Sequence, residues 1–94
     1  MLTIHHAKYI ADYKIFCKFN NGKSGIADLA TTLHNDNRAL FNELKDLSYF
    51  QKFSLQHDTI TWVNGLDLAP EYLFYLVFSE EPSLQKQFKN WGYV

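Results

Sequence analysis

Residues 72–78 read YLFYLVF, seven successive positions whose only polar atoms are two phenol hydroxyls. A helix built from them has no polar face and must be covered on nearly every side. Pro70 and Glu71 just before the run suit the first turn of such a helix, where early amides lack intrahelical acceptors and negative charge meets the positive dipole end. Seven residues fall far short of the ~20 that a membrane helix needs. The cover must therefore be protein: either the closing segment of the chain or a second subunit.

The first source is limited, because the chain has 94 residues. That length makes one domain, residues 1–94, and such a domain buries only roughly 60–65% of its unfolded surface. With 47% hydrophobic and 17% aromatic residues, there is material for a core and some surplus.

Nine Lys and Arg against ten Asp and Glu give a net charge of −1, so no global field attracts phosphate backbones or anionic membranes. Nucleic acid is accordingly an unfavoured partner, with Lys14, Lys18 and Lys23 of one hairpin its only visible handle. The lone cysteine, Cys17, forms no internal disulfide and no cysteine-based zinc site. The opening residues lack a basic stretch followed by an apolar one, so no signal peptide is visible and a cytoplasmic protein is expected.

Along the chain no internal repeat or low-complexity tract stands out. In YKIFCKF, Ile15, Cys17 and Phe19 alternate with Lys14 and Lys18, the pattern of a half-buried strand. Asn21-Gly22 suits the positive φ angles of a tight hairpin, SGIADL pairs back, and LTIHHAKYI is a further strand. DNRALFNELKD places Leu40, Phe41 and Leu44 at helical spacing. QKFSLQHDTITW returns to alternation, with a turn at His57-Asp58, and reads as a second hairpin. Asn64-Gly65 marks another turn, APEYLFYLVF a helix, and PSLQKQFKNWG a final helix between Pro82 and Gly92. The expected class is α+β: a small antiparallel sheet from two hairpins, one short amphipathic helix and C-terminal helices.

Phe19 and Gly22, Asp28-Leu29, Phe41, Leu44 and Phe50, then Trp62, Asn64-Gly65, Asp67, Pro70-Glu71 and Leu73 follow one another in a characteristic order. In this the chain resembles domain-of-unknown-function family 2442, a group of small, mostly bacterial domains. The resemblance covers roughly residues 1–75, leaving 76–94 as a C-terminal helical extension. It implies a small α+β fold and no established activity. Members of the family often look like one half of a two-gene unit, and some carry a helix-turn-helix domain afterwards, which implies regulatory or toxin–antitoxin-like roles. Here about twenty residues follow Leu73, too few for such an added domain.

Two sets of residues are candidates for function. Asp28, Trp62, Asn64 and Asp67 would form a ligand or catalytic site if they lined one pocket, a carboxylate pair serving acid–base work or a hard cation. Turn chemistry explains each of them without a ligand and is the preferred reading. Tyr72, Tyr75, Phe78, Phe88 and Trp91 are either core or the surface that receives a partner, aromatics being favoured at interface centres. The histidines lack metal spacing, since His5 and His6 are adjacent on a strand and point apart, while His34 and His57 fall in expected loops. Cys17, alternating with Ile15 and Phe19, reads as a buried small hydrophobe, and NNGKSG lacks the spacing of a phosphate loop. No catalytic residue, metal or cofactor is expected. The expectation is a non-enzymatic domain that binds another protein or a second copy of itself; the alternative is a small ligand-binding or enzymatic domain using the four residues from Asp28 to Asp67.

Overall fold

The computed structural model describes all of residues 1–94. Two three-stranded antiparallel sheets and five short helices follow one another along the chain. The first sheet comprises β1 (Ile4–Ala11), β2 (Lys14–Phe19) and β3 (Ser24–Asp28) in the order β1-β2-β3. Three helices come next: α1 (Ala30–His34), α2 (Ala39–Leu44) and α3 (Leu47–Phe50). The second sheet is β4 (Ser54–Gln56), β5 (Thr59–Thr61) and β6 (Asp67–Leu68) in the order β4-β5-β6. Helix α4 (Pro70–Phe78), a 3₁₀ turn at Pro82–Leu84 and helix α5 (Gln85–Trp91) end the fold.

The α+β class with its two hairpins is the one the alternation dictates. Each hairpin adds a third strand, and the two remain separate sheets rather than merging into one. They are joined edgewise by the Ile4 N–H, which donates to the Asp58 carbonyl at the tip of the β4–β5 turn (2.9 Å). That turn places His57 (φ 54°) and Asp58 (φ 66°) in the left-handed region, as a two-residue hairpin of matching twist requires.

The β2–β3 and β5–β6 connections share one construction. The Gly22 N–H donates to the Phe19 carbonyl (3.1 Å) and the Phe19 N–H to the Lys23 carbonyl (2.9 Å); Gly65, Trp62 and Leu66 repeat both bonds at 3.0 and 2.9 Å. In each loop only the glycine takes positive φ, 85° and 92°, so Asn21 is not left-handed as expected. The asparagines act through their side chains instead: Asn21 Oδ1 accepts from the Lys23 N–H and Asn64 Oδ1 from the Leu66 N–H, both at 3.0 Å. Both loops lead through a short strand into Asp-Leu-Ala and a helix. The chain does contain a local repeat, hidden because the intervening strands differ in length.

The inner face of the first sheet carries Ile15, Cys17, Phe19 and Ala27 into a core continued by Leu29, Leu33, Leu44, Phe50, Ile60, Trp62, Leu73, Phe74 and Phe88. Helix α4 lies on this face. Phe74 meets Phe19 edge-on at 5.1 Å, and Val77 sits directly over Gly25. A Cβ at Gly25 would overlap the Val77 γ1 methyl, and a β-branched side chain has little rotamer freedom with which to retreat. Gly25→Ala is expected to lose about 1–3 kcal/mol in urea denaturation, with Val77→Ala recovering part of the loss in the double variant. Independent, additive losses would show that the helix does not depend on this close approach.

On α2 the buried side is Phe41 and Leu44, while Leu40 is left 39% exposed. The final helix folds back onto α4. Phe88 is 0% exposed and meets Tyr75 edge-on at 5.1 Å and Phe74 at 6.2 Å. Phe88 is therefore a core residue and not part of a partner surface. The apolar α4 run is covered from below by the sheet and from one side by α5.

Candidate functional site

Asp28, Trp62, Asn64 and Asp67 do not form one site. The Trp62 indole is buried against Phe50 and Phe53, and its N–H donates to the Phe50 carbonyl (3.0 Å). Asn64 is spent on the backbone, accepting from Leu66 and donating Nδ2–H to the Leu40 carbonyl (3.3 Å). Asp28 Oδ1 accepts from the Ala30 N–H (3.0 Å) at the entry to α1. Asp36 and Asp46 repeat that bond two residues ahead, to the Arg38 and Ser48 N–H groups at 3.0 Å. The Arg38 guanidinium bonded to Asp36 holds that carboxyl below its ordinary range, and the Ser48 hydroxyl and amide do the same for Asp46. Asp67, exposed on β6, lines with Ser54, His57, Thr61 and Trp62 a shallow depression of about 390 Å³. Asp28 opens onto a different cleft, beside α1.

The other reactive groups are quiet. Burial pushes the Cys17 thiol up to about 12, so at neutral pH it is a protonated, inert core atom. No three His, Cys, Asp or Glu side chains converge as a cation site, and no buried side-chain nitrogen or oxygen lacks a hydrogen-bond partner.

The largest cleft on the surface, about 570 Å³ and open to solvent, lies between α1 and α4. Helical spacing puts Tyr72 and Tyr75 of α4, with Ser79 at its C-cap, on the side facing Thr31, Thr32 and Asn35 of the α1 segment. The Tyr72 hydroxyl is hydrogen-bonded to Thr32 Oγ1 at 2.6 Å, tying the two helices together. The third ring comes from beyond α5. Gly92, at φ 89°, turns the chain back so that the Tyr93 N–H donates to the Phe88 carbonyl (2.9 Å). Tyr93 then stacks on Tyr75 with centroids 5.1 Å apart and planes 25° off parallel, and meets Tyr72 at 5.7 Å. Desolvation, the nearby Glu71 carboxylate and Tyr72 raise the Tyr93 phenol above its ordinary value.

Tyr72, Tyr75, Phe78 and Trp91 are all half-buried, with one side on the core and the other open. Of the expected partner residues Tyr72 and Tyr75 lie together on this flank, where Tyr93 joins them unforeseen; Trp91 meets Tyr93 at 6.3 Å, Phe78 packs on Phe74 beneath Lys23, and Phe88 is core. The signal for Tyr93 was the helix-stopping Gly92, which returns whatever follows it to the helix flank. Ring faces, phenols, threonine hydroxyls and an amide make a surface rich in contact area and hydrogen-bonding groups, at low conformational-entropy cost.

Paired three-stranded meanders, each closed by an asparagine–glycine loop leading into a helix, define a small α+β domain whose prominent surface is an aromatic helix flank. The chain belongs to the DUF2442 family of proteins of unknown function, whose family model matches residues 4–79. That span ends just past α4, so α5 and Tyr93 lie outside it. No curated protein and no solved structure matches the chain. No helix is long and apolar enough to cross a membrane.

Proposed function

We propose that the domain works by docking another protein on the flank formed by Tyr72, Tyr75, Tyr93 and the adjoining α1–α4 cleft. The carrying observation is the stacked tyrosine cluster. Three rings rest on one another with one side left open, although this chain had an apolar core in which to sink them. Pre-stacked tyrosines lose little freedom on binding and present both an apolar face and a phenol, the character of interface anchors. The resemblance to half of a two-gene unit makes the product of an adjacent gene the proposed partner, as in a toxin–antitoxin-like pair within the cytoplasm. An interface of ordinary size would cover about 800 Å² on each side, more than the tyrosines alone supply, so the cleft residues around Thr31 and Ser79 belong to it.

The test is mass in solution, alone and after co-expression with the neighbouring gene, followed by titration calorimetry. A complex of defined stoichiometry is expected, weakened about 30-fold or more by Tyr75→Ser together with Tyr93→Ser, as befits loss of hot-spot rings of about 2 kcal/mol. A second copy of the chain on the same flank would appear as a concentration-dependent dimer lost in the same variant. Unchanged affinity, with circular dichroism showing the variant folded, removes the flank from the interface. A protein that stays monomeric and captures nothing removes the reading altogether.

A further inference from the structure

The outer face of the first sheet, turned away from α4, carries a second and separate feature. Its central row across the three strands is Lys8, Phe16 and Ile26, paired in register. Lys14 and Lys18 flank Phe16 along β2, two residues to either side and so about 7 Å away. Ile10 lies two positions beyond Lys8 on β1. Ile26, 48% exposed, lies directly across from Phe16 on β3, and Ile10, 44% exposed, lies beyond Lys8 where the β1–β2 register shifts.

None of these lysines closes an ion pair. The chain's ion pair is Arg38 with Asp36, and neither residue is on this sheet. Lys18 faces His6 and Ser24 across the strands, and Lys8 faces Phe16. Asp28 sits opposite Lys14 in the register, yet its carboxylate bonds the Ala30 amide at the start of α1 instead. Opposite charges set across strands are the ordinary arrangement of a solvated antiparallel face, each pair stabilising by roughly 0.2–1 kcal/mol. Acids are not scarce here, because the chain has ten against nine Lys and Arg. Of the three lysines only Lys14 has an acid across from it, Asp28, while Lys8 and Lys18 have none, on a chain whose net charge is −1.

We propose that this face binds a polypeptide segment combining acidic and aliphatic side chains: carboxylates toward Lys8, Lys14 and Lys18, and apolar side chains on the stripe from Ile10 through Phe16 to Ile26. Charge complementarity selects the acids. The isoleucines select against a nucleic acid, the other polyanion. A single-strand platform stacks successive bases on several rings. This face offers one ring, Phe16, already met by His6 at 6.3 Å and 62°, and two aliphatic neighbours with no π face. Because α4 covers the opposite side of the sheet, the face is independent of the tyrosine flank, and the domain is able to hold two segments at once.

The probe is a displayed library of random twelve-residue peptides, selected on the 94-residue chain and, in parallel, on Lys14→Glu/Lys18→Glu protein. Expected is enrichment, on the native chain alone, of peptides mixing Asp or Glu with Leu, Ile or Val. A synthetic peptide of the winning sequence should shift amide resonances of β1, β2 and β3. Its affinity should fall tenfold or more in the charge-reversed variant, fall several-fold in Ile26→Ser, and weaken as sodium chloride rises. Lys18 and Ile26 are exposed and Lys14 half-buried, and melting temperatures equal to that of the native chain would show both variants folded. The proposal is overturned if selection on the two proteins gives the same peptides, if the shifted resonances lie outside the first sheet, or if a labelled single-stranded oligonucleotide binds in a Lys14- and Lys18-dependent way where the peptide does not. A Tyr75→Ser/Tyr93→Ser protein should bind the peptide as the native chain does, which separates this result from the fate of the tyrosine flank.

Discussion

Phe88→Ala should lower the free energy of unfolding by about 3–5 kcal/mol, enough to leave a domain of this size marginal at 25 °C. The ring is 0% exposed and is held between Phe74 and Tyr75, with Trp91 at 6.0 Å on its own helix. Its removal opens a cavity at the most deeply buried contact between α5 and α4, and a helix of seven residues has no stability of its own with which to stay docked. Urea denaturation followed by circular dichroism measures the loss. Phe88→Leu, which refills most of the volume, should recover more than half of it. A loss below about 1 kcal/mol for the alanine variant would mean that α5 is an appendage, and that the apolar α4 run finds its cover elsewhere.

Trp62→Ala should cost a similar amount, again about 3–5 kcal/mol, for a different mixture of reasons. The indole is 4% exposed and fills the space between Phe50 and Phe53, while its N–H satisfies the Phe50 carbonyl at the end of α3. Trp62→Phe separates the two contributions. It keeps a ring but leaves that carbonyl without its donor, and is expected to lose about 1–3 kcal/mol. Were phenylalanine as damaging as alanine, the hydrogen bond rather than the packing would dominate. Because Trp62 and Leu66 close the β5–β6 loop, both substitutions should also disorder β6, visible as rapid amide exchange at Leu68.

The parts of this fold that could be read in advance were those with enough residues to show a period. In β2, the alternation of Ile15, Cys17 and Phe19 with lysines specifies both strand and inner face, and Pro70 places the start of α4 where it lies. Helices α1 and α3 have five and four residues, too few for any helical spacing to register. They form because Asp28 and Asp46 turn the backbone at their entrances and because Leu33 and Phe50 are drawn into the core. Strand β6 has two residues, set by its pairing with β5 and by the Gly65 loop.

The candidate site was legible to the same degree. Ring density alone pointed to Tyr72 and Tyr75. It could not distinguish Phe88, which α4 covers, from Trp91, three residues on and half open, since that depends on how α5 is rotated against its neighbour. Asp28 and Asn64 bond the Ala30 and Leu66 amides, as a helix entry and a turn require, whereas Asp67 stands free at the edge of a shallow depression.

The placement of the two indoles has a practical outcome. Trp62 sits sealed beside the second sheet and Trp91 half open at the C-terminal end, so the emission spectrum is expected to contain one blue-shifted component and one more solvent-relaxed. Each reports on its own end of the molecule. Quenching by iodide reaches the outer fluorophore first, and a partner seated beside Tyr93 would shield it while leaving the inner one unchanged.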